Sequence, residues 1–509
     1  MQTSVLDWLD ERAAADGDRI GVRDPDGALT FSELRDQTVR AATWLIGQAG
    51  MGPRRAVALY LEKSPQALSV MLGTLAAGGF YSVIDVRHPA SRARTIARTL
   101  DPIAIVCDDR SSEGAHEVAE GTDIPVVSIG ELLDTGADET LVRARRAARI
   151  DTDPVYVNFT SGSTGTPKGV VVCERSLLDF IPVFCSTFEI SSSDVLANQA
   201  PFDFDVSVKD IYSALYTGAT LALVPRAYFS NPTQLMDYLA EVKATNLTWA
   251  VSALTFVSIM GGLDYLTPVT IKRVMFSGEV MPPKQLAVWQ RHLPRARYVN
   301  LYGPTEITCN CTYFEVTRTY EPGEVIPMGK AFANERVFLL DENNREVKEP
   351  DTVGEVSVAG TCLALGYLGD GERTSAVFCQ NPLETRWPET IYRTGDLARY
   401  DEEGNLVYVS RKDTQIKHLG QRIELTDIEC HAQAIEGVEQ ACCLYDDVKK
   451  RIHLCYVGTP DRKVVKAQLR ESVPSYMVPN NTHQLDAFPL TKNGKIDRAT
   501  LAQLARIKR

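Results

Sequence analysis

Residues 156–170 read Tyr-Val-Asn-Phe-Thr-Ser-Gly-Ser-Thr-Gly-Thr-Pro-Lys-Gly-Val. An apolar β-branched run around Val155 and Val157 opens into three glycines, five hydroxyl residues and a lysine, and a second β-branched run, Val170 to Val172, follows. This pattern predicts two strands joined by a glycine-rich turn. Glycine lets the backbone aim its N–H groups at an anion, and the hydroxyls and Lys168 add donors and charge, so the loop suits a polyphosphate. The same residues also suit a solvated Ser/Gly hairpin. The P-loop of nucleotide kinases is excluded by spacing, because no Gly-Lys-Ser/Thr follows and Pro167 precedes the lysine.

The 509 residues around this loop are 44% hydrophobic and 24% charged, enough for at least two cores. Up to about residue 400, β-branched runs alternate with amphipathic helical patterns, as in an α/β layered protein. Examples are Arg55-Ala-Val-Ala-Leu-Tyr-Leu, then Gln66 to Gly78 at helical spacing, then Ile103-Ala-Ile-Val-Cys. Residues 108–124 are polar and turn-rich and read as a surface connection. From 354 the texture changes to short strand-like runs with Gly and Asp turns, and Arg411-Lys-Asp-Thr-Gln reads as a linker. The expected architecture is therefore α/β: a large multi-layer domain over 1–411 with mixed sheets and packed helices, then a small mobile α+β domain over 412–509.

A net charge of −12 disfavours non-specific binding to nucleic acid or anionic membranes. No apolar stretch approaches the roughly 18–20 residues of a membrane span, and the acidic, amphipathic start is unlike a signal peptide. Eleven scattered cysteines without CxxC or zinc spacing predict reduced, mostly buried thiols in a cytoplasmic protein.

Four further segments share the character of the loop. Asn300-Leu-Tyr-Gly-Pro-Thr-Glu combines an aromatic ring, a tight turn, a hydroxyl and a carboxylate. Tyr392-Arg-Thr-Gly-Asp is predicted to end a strand with a carboxylate on a turn, suited to a ribose diol. Residues 411–425 form a charged strand-turn segment, and Pro489 to Arg498 presents Lys495 on a glycine-containing turn.

In this order the segments resemble the adenylate-forming superfamily of acyl-CoA synthetases, luciferases and the adenylation domains of nonribosomal peptide synthesis. The resemblance runs from Leu29-Thr-Phe-Ser-Glu-Leu to Arg498 and includes Gly366-Tyr-Leu and Pro474-Ser-Tyr-Met-Val-Pro. Phe204-Asp205-Val-Ser-Val and Arg422-Ile-Glu-Leu-Thr-Asp-Ile-Glu are the amino-acid-activating pattern. The run Asn198 to Tyr212, with Ser277-Gly-Glu-Val-Met-Pro, looks most like D-alanine–carrier-protein ligases and related free-standing enzymes. Two positions depart from the family: Tyr81-Ser-Val-Ile-Asp-Val stands for Tyr-x-Pro-Leu-Asp-Pro, and Ser410 replaces a glycine.

The resemblance implies ATP and Mg²⁺ as cofactors and a two-step reaction, in which an amino acid becomes an aminoacyl-AMP and then passes to a carrier-protein phosphopantetheine thiol. By carry-over, Thr160, Ser161, Gly162, Ser163, Thr164, Gly165 and Lys168 hold the β- and γ-phosphates. Thr305 contacts the α-phosphate, Glu306 ligates Mg²⁺, and Tyr302, with Asn300 and Gly303 beside it, stacks on adenine. Asp396 binds the ribose with Arg411 nearby. Lys495 bridges the substrate carboxylate and the α-phosphate, Asp413 is the hinge, and Gly420 approaches the incoming thiol in the second step. No Gly-Gly-x-Ser segment follows Arg498, so the carrier is expected to be a separate protein, or the chain an excised or free-standing domain. The enzyme is expected to be a monomer.

The implied substrate pocket comprises Asp205, Val206, Lys209, Val251, Met275, Ser277, Gly278, Leu301, Cys309 and Asn310. A buried Asp205 needs a cationic partner, which the substrate ammonium supplies. Val206, Met275, Ser277 and Leu301 match a serine-type pocket, whereas Lys209 replaces its tryptophan and Val251 its histidine. A Lys209 ammonium pointing inward favours an acidic substrate. One that snorkels to the rim, or pairs with Asp210 or another acid, favours a small substrate of the serine or alanine class, of either hand. The small substrate is the reading adopted. The rivals are an acidic amino acid, a CoA ligase of the same fold and a non-catalytic nucleotide binder.

Overall fold

A computed structural model describes residues 2–162, 165–489 and 496–505. Its β-branched runs form three sheets in the N-terminal part. The sheet that carries the phosphate loop has seven strands. Four of them, at Val126–Ser128, Ile105–Cys107, Ala56–Tyr60 and Phe80–Val83, are parallel neighbours, and Pro154–Thr160 pairs parallel to the last. Lys168–Cys173 then returns antiparallel, with Val157 opposite Val171 and Thr160 opposite Lys168. The predicted hairpin thus belongs to a buried sheet, with only the two-residue strand Gly366–Tyr367 outside it.

A nine-stranded sheet supplies the other wall. Its centre is parallel, running through Thr220–Leu223, Val195–Asn198, Asn246–Ala250, Arg273–Ser277 and Arg297–Tyr302. Strands buried on both faces need helices on those faces. Helix Pro65–Ala76 is apolar almost all round and buried at every position except Gln66. It shares one core with Phe180, Ile211, Tyr156, Leu221 and Leu301, so the two sheets and the helices between them pack as a unit.

The third sheet is antiparallel and carries Gly354–Gly360, Thr390–Tyr400 and Leu406–Arg411. Beyond Arg411 the chain forms the hairpin Gln415–His418/Gln421–Glu424 and a three-stranded sheet with packed helices. This part has its own core of Ile423, Ile428, Leu454, Tyr456, Val465 and Leu469. The fold is therefore the expected α/β architecture, with a large N-terminal and a small α+β C-terminal part. Residues 108–124 differ from expectation, because Ser112–Ala119 is a helix. Only Ala115 and Val118 are buried in it, too short an apolar stripe to stand out among polar residues. All eleven cysteines are free thiols, nine of them buried. No helix among the described residues is long and apolar enough to cross a membrane.

Both ends of the phosphate-loop hairpin rest on one buried carboxylate. Glu174, the first residue of helix Glu174–Phe188, accepts from Val5 N (2.9 Å) and Ser4 Oγ (3.0 Å) and pairs with Arg149 at 3.1 Å. Arg149 also donates to Pro154 O (3.1 Å) and Gly79 O (2.8 Å). Removing one partner of a buried pair strands the other. Glu174→Ala should cost about 3 kcal/mol or more in denaturant unfolding, and Glu174→Gln, which keeps hydrogen bonds to the N-terminal segment, should lose less.

Candidate functional site

The strand Arg297–Tyr302 ends in a short 3-10 turn, Thr305–Ile307, that turns Glu306 inward to complete burial. Its carboxylate accepts from Tyr367 OH (2.7 Å) and Lys168 Nζ (3.2 Å) at one oxygen and from Arg422 Nη1 (2.6 Å) at the other. Burial disfavours its charge, but Arg422 and Lys168 outweigh burial and hold Glu306 well below the ordinary carboxylate range. Burial pushes the Lys168 ammonium down, and neighbouring Arg422 adds to that.

The phosphate loop meets the C-terminal part directly. Ser161 Oγ donates to Arg422 O (2.9 Å) and accepts from Glu424 N (3.0 Å). Gly162 is tightly confined, since a Cβ there would lie 2.1 Å from Thr166 O. Gly165 packs beside Cys430 and Asp427. Thr160 Oγ1 is buried without a partner among the described residues. Ser163, Thr164 and Lys495 lie outside the described residues.

Asp396 sits inside the strand Thr390–Tyr400, not at its end as expected. The register against Gly354–Gly360 slips where Glu355 faces Leu397 and Ser357 faces Arg393. The extra residues bulge there, and a bulge re-aims a side chain without ending the strand. Asp396 accepts from Tyr302 OH (2.6 Å) and Arg411 Nη1 (2.6 Å), and Arg411 also clamps Asp413 with two bonds of 2.7 Å. Asn300 donates to Pro327 O (2.8 Å), which ties its amide to the adjoining loop. Gly303 lies against Asn310, where a Cβ would come within 2.5 Å of the Asn310 Cα.

A cavity of about 40 Å³ opens beside these groups, lined by Asp205, Val206, Ser277, Gly278, Thr305 and Cys309 together with Asp396, Lys417, Gly420 and Arg422. Asp205, just ahead of helix Val206–Thr217, is pushed up by burial, partly offset by the Thr305 hydroxyl and the Lys209 and Lys417 ammonium groups. Val251, Met275, Leu301 and Asn310 are buried in the surrounding packing. So is Lys209, at 0% exposure, and its Nζ donates to Asn310 Oδ1. The option of a snorkelling Lys209 is thereby corrected: helix Val206–Thr217 is buried at nearly every position and offers no path to the rim. Lys209 also eases the ionisation of Asp210, whose pKa burial pushes up to about 7. Burial pushes Cys309 up to about 12, which makes it an unreactive thiol.

Sequence reasoning alone assigns no individual role to Gln415, Lys417, Arg422, Tyr367 or Glu279. The hairpin pairs Lys417 with Arg422 and Gln415 with Glu424, so these polar side chains share one face, and Ile416 and Ile423 share the other. That alternation is visible in Gln-Ile-Lys and Arg-Ile-Glu. At its turn, Gly420 N donates to Glu279 Oε1 (2.8 Å). Gly420 has φ +78°, and a Cβ would lie 3.1 Å from Ala250 Cβ and 3.3 Å from Ser252 Oγ.

A divalent ion at Glu306 is tested by these partners. The carboxylate is saturated by a phenol and two cations, and a hydrated metal that demands near-octahedral oxygen ligands does not fit it in this arrangement. Among the described residues no group of three or more His, Cys, Asp or Glu is placed to hold a metal.

Residues 9–368 match the AMP-binding enzyme family, and residues 427–495 match the AMP-binding enzyme C-terminal domain. The D-alanine–D-alanyl carrier protein ligase of Bacillus velezensis is 30% identical over 511 residues, covering 98% of this chain and 99% of the relative. Tyrocidine synthase 3 of Brevibacillus parabrevis is 32% identical over 98% of this chain, which spans 8% of that much longer protein. A solved NRPS protein containing adenylation and PCP domains, bound to a vinylsulfonamide inhibitor, superposes with a TM-score of 0.83 at 26% identity, covering 99% of this chain and 84% of that one. A phosphate-loop hairpin, a buried Glu306 and an aspartate-lined cavity thus sit in a chain that belongs to the AMP-binding family of adenylate-forming enzymes.

Proposed function

We propose that this chain uses ATP to activate a small amino acid of the serine or alanine class and passes it to the phosphopantetheine thiol of a separate carrier protein. In the first step a substrate carboxylate oxygen bonds to the α-phosphorus, the α–β bridging bond breaks, and pyrophosphate leaves. In the second, the thiolate attacks the acyl carbon and AMP departs with the electron pair. Charge that develops on phosphate is met by fixed donors, so catalysis is chiefly positioning and electrostatic stabilisation.

The observation that carries the reading is Asp205, a buried carboxylate on the cavity wall next to Thr305. It suits a substrate ammonium, and Thr305 then stands near the transferred phosphate. Asp396 holds Tyr302 and Arg411 with one bond to each oxygen. A carboxylate has further lone pairs, so ribose hydroxyls can join those donors. Ser161, Thr160 and Lys168 are assigned to the outer phosphates, Tyr302 to adenine, and Lys495 to the substrate carboxylate. Mg²⁺ on Glu306 belongs to the same reading and requires Arg422 to withdraw. A division after Arg411, with Asp413 as the hinge, provides for that movement.

Lys209 supports a small substrate. Its ammonium is bonded to Asn310 and offset by Asp205 and Asp210, so it does not depend on a substrate carboxylate for a partner. The relation to a D-alanine–D-alanyl carrier protein ligase points the same way.

Amino-acid-dependent pyrophosphate exchange across all proteinogenic and D-amino acids tests the assignment. Serine or alanine, of either hand, should give the highest rate, and Asp205→Ala should reduce it about 100-fold, the scale of a lost buried charge partner. Highest exchange with glutamate or aspartate would transfer the assignment to an acidic substrate held by Lys209, and highest exchange with a bulky aromatic acid would reject both. In a separate comparison, Gly420→Ala should slow carrier loading about tenfold or more while exchange falls less, because the added methyl strains φ and crowds Ala250 and Ser252. Equal losses in the two half-reactions would remove Gly420 from the second step.

A further inference from the structure

Lys63 lies just past the strand Ala56–Tyr60, in the sheet that carries the phosphate loop, and reaches across to the nine-stranded sheet. Its Nζ donates to four oxygens at the end of the strand Val195–Asn198: Asn198 O (2.9 Å), Asn198 Oδ1 (3.0 Å), Gln199 O (2.9 Å) and Ala200 O (3.2 Å). An ammonium has three N–H donors, and all are spent on this one stretch of chain. Three consecutive carbonyls turned to one side repel one another, and a cation holds them there. Burial pushes the Lys63 ammonium down, and Asp210 opposes that shift.

The stretch leads directly to Asp205. Pro201 restricts the residue before it, a turn closes from Phe204 N to Pro201 O (3.1 Å), and Asp205 stands ahead of helix Val206–Thr217. Asn198 Nδ2 donates to Asp210 of that helix (3.1 Å), and Ala250 N donates to Gln199 Oε1 (3.3 Å) beside Val251 of the pocket wall. We infer that Lys63 is a positioning residue for the substrate end: it gathers the carbonyls of 198–200 and thereby sets where Asp205 meets the substrate ammonium. The inference rests on the reading of Asp205 as the partner of that ammonium. Lys63 lies outside the cavity lining, so it acts on the substrate only through this segment. Because it comes from the other sheet, it also fixes the substrate wall against the phosphate-loop wall.

Calorimetric titration of the full chain with two non-hydrolysable acyl-AMP mimics, alanyl-sulfamoyladenosine of either hand and its des-amino counterpart propionyl-sulfamoyladenosine, isolates the contribution of the amine. The wild type should prefer the alanyl compound about 100-fold. Lys63→Met should reduce that preference about tenfold while ATP alone binds as in the wild type. Lys63→Arg keeps the charge and the donors and should stay within about threefold of the wild type. Lys63→Gln, with two donors and no charge, should fall between, and it replaces Lys63→Met if that variant does not fold. In an Asp205→Ala background Lys63→Met should change the preference no further. An unchanged preference in Lys63→Met, or a parallel loss of both mimics and ATP, would overturn the inference. If the wild type binds neither mimic or does not distinguish them, the reading of Asp205 fails and takes this inference with it. If Asp205→Ala abolishes the preference while Lys63→Met keeps it, the reading of Asp205 survives and only the role of Lys63 is lost.

Discussion

The buried charge of Glu306 is the constraint around which this site is assembled. A carboxylate at 0% exposure is tolerable only with partners, and it draws them from three distant segments. Lys168 comes from the phosphate-loop hairpin, Tyr367 from the short strand beside it, and Arg422 from the C-terminal hairpin. Gly366–Tyr367 pairs with Val170 and Val171, so the strand that supplies Lys168 also aligns the phenol. Both large sheets must be in register for the network to close.

That dependence explains why so much packing serves one loop. The hairpin Pro154–Thr160/Lys168–Cys173 belongs to a seven-stranded sheet, and Glu174 and Arg149 tie its base to the N-terminal segment. A glycine-rich loop is not held rigid by its own side chains, so its support comes from the strands beneath it. The nine-stranded sheet does the same for Ser277, which ends one strand, and for Thr305, which follows its parallel neighbour.

Much of this is legible in the sequence because it depends on short-range pattern. The β-branched runs on either side of Ser161 and Lys168 specify a hairpin, and alternating strands and helices specify layered sheets. The roles that stay hidden depend on partners far away in the chain. Whether Lys209 snorkels is decided by Asn310, 101 residues distant, and by the burial of its whole helix. Arg422 is one of many surface-like arginines until it meets Glu306, 116 residues away. Asp396 reads as a turn residue because Gly395 precedes it, whereas a bulge inside a long strand aims it just as well. The helix at 112–119 escapes notice for the opposite reason, because two buried residues carry too little periodicity to read.

The two ends of the cavity are governed by different electrostatics, and on the proposed reading the difference separates the energy-yielding step from the choice of substrate. At the end that holds Glu306, Lys168 and Arg422 outweigh its burial, so it stays ionised. At the substrate end, burial outweighs the cations around Asp205, so its carboxyl is pushed up and waits for one more positive charge. An α-ammonium group supplies that charge together with the carboxylate to be activated, and an acid without an amine does not. On the proposed reading, the chain selects for the amine before the chemistry begins, through the cost of a buried anion. Lys209 offsets part of that cost, easing the ionisation of Asp205 while its own ammonium is bonded to Asn310. The same proposal leaves selection among side chains to the small groups that remain on the wall, Val206, Ser277, Gly278 and Cys309.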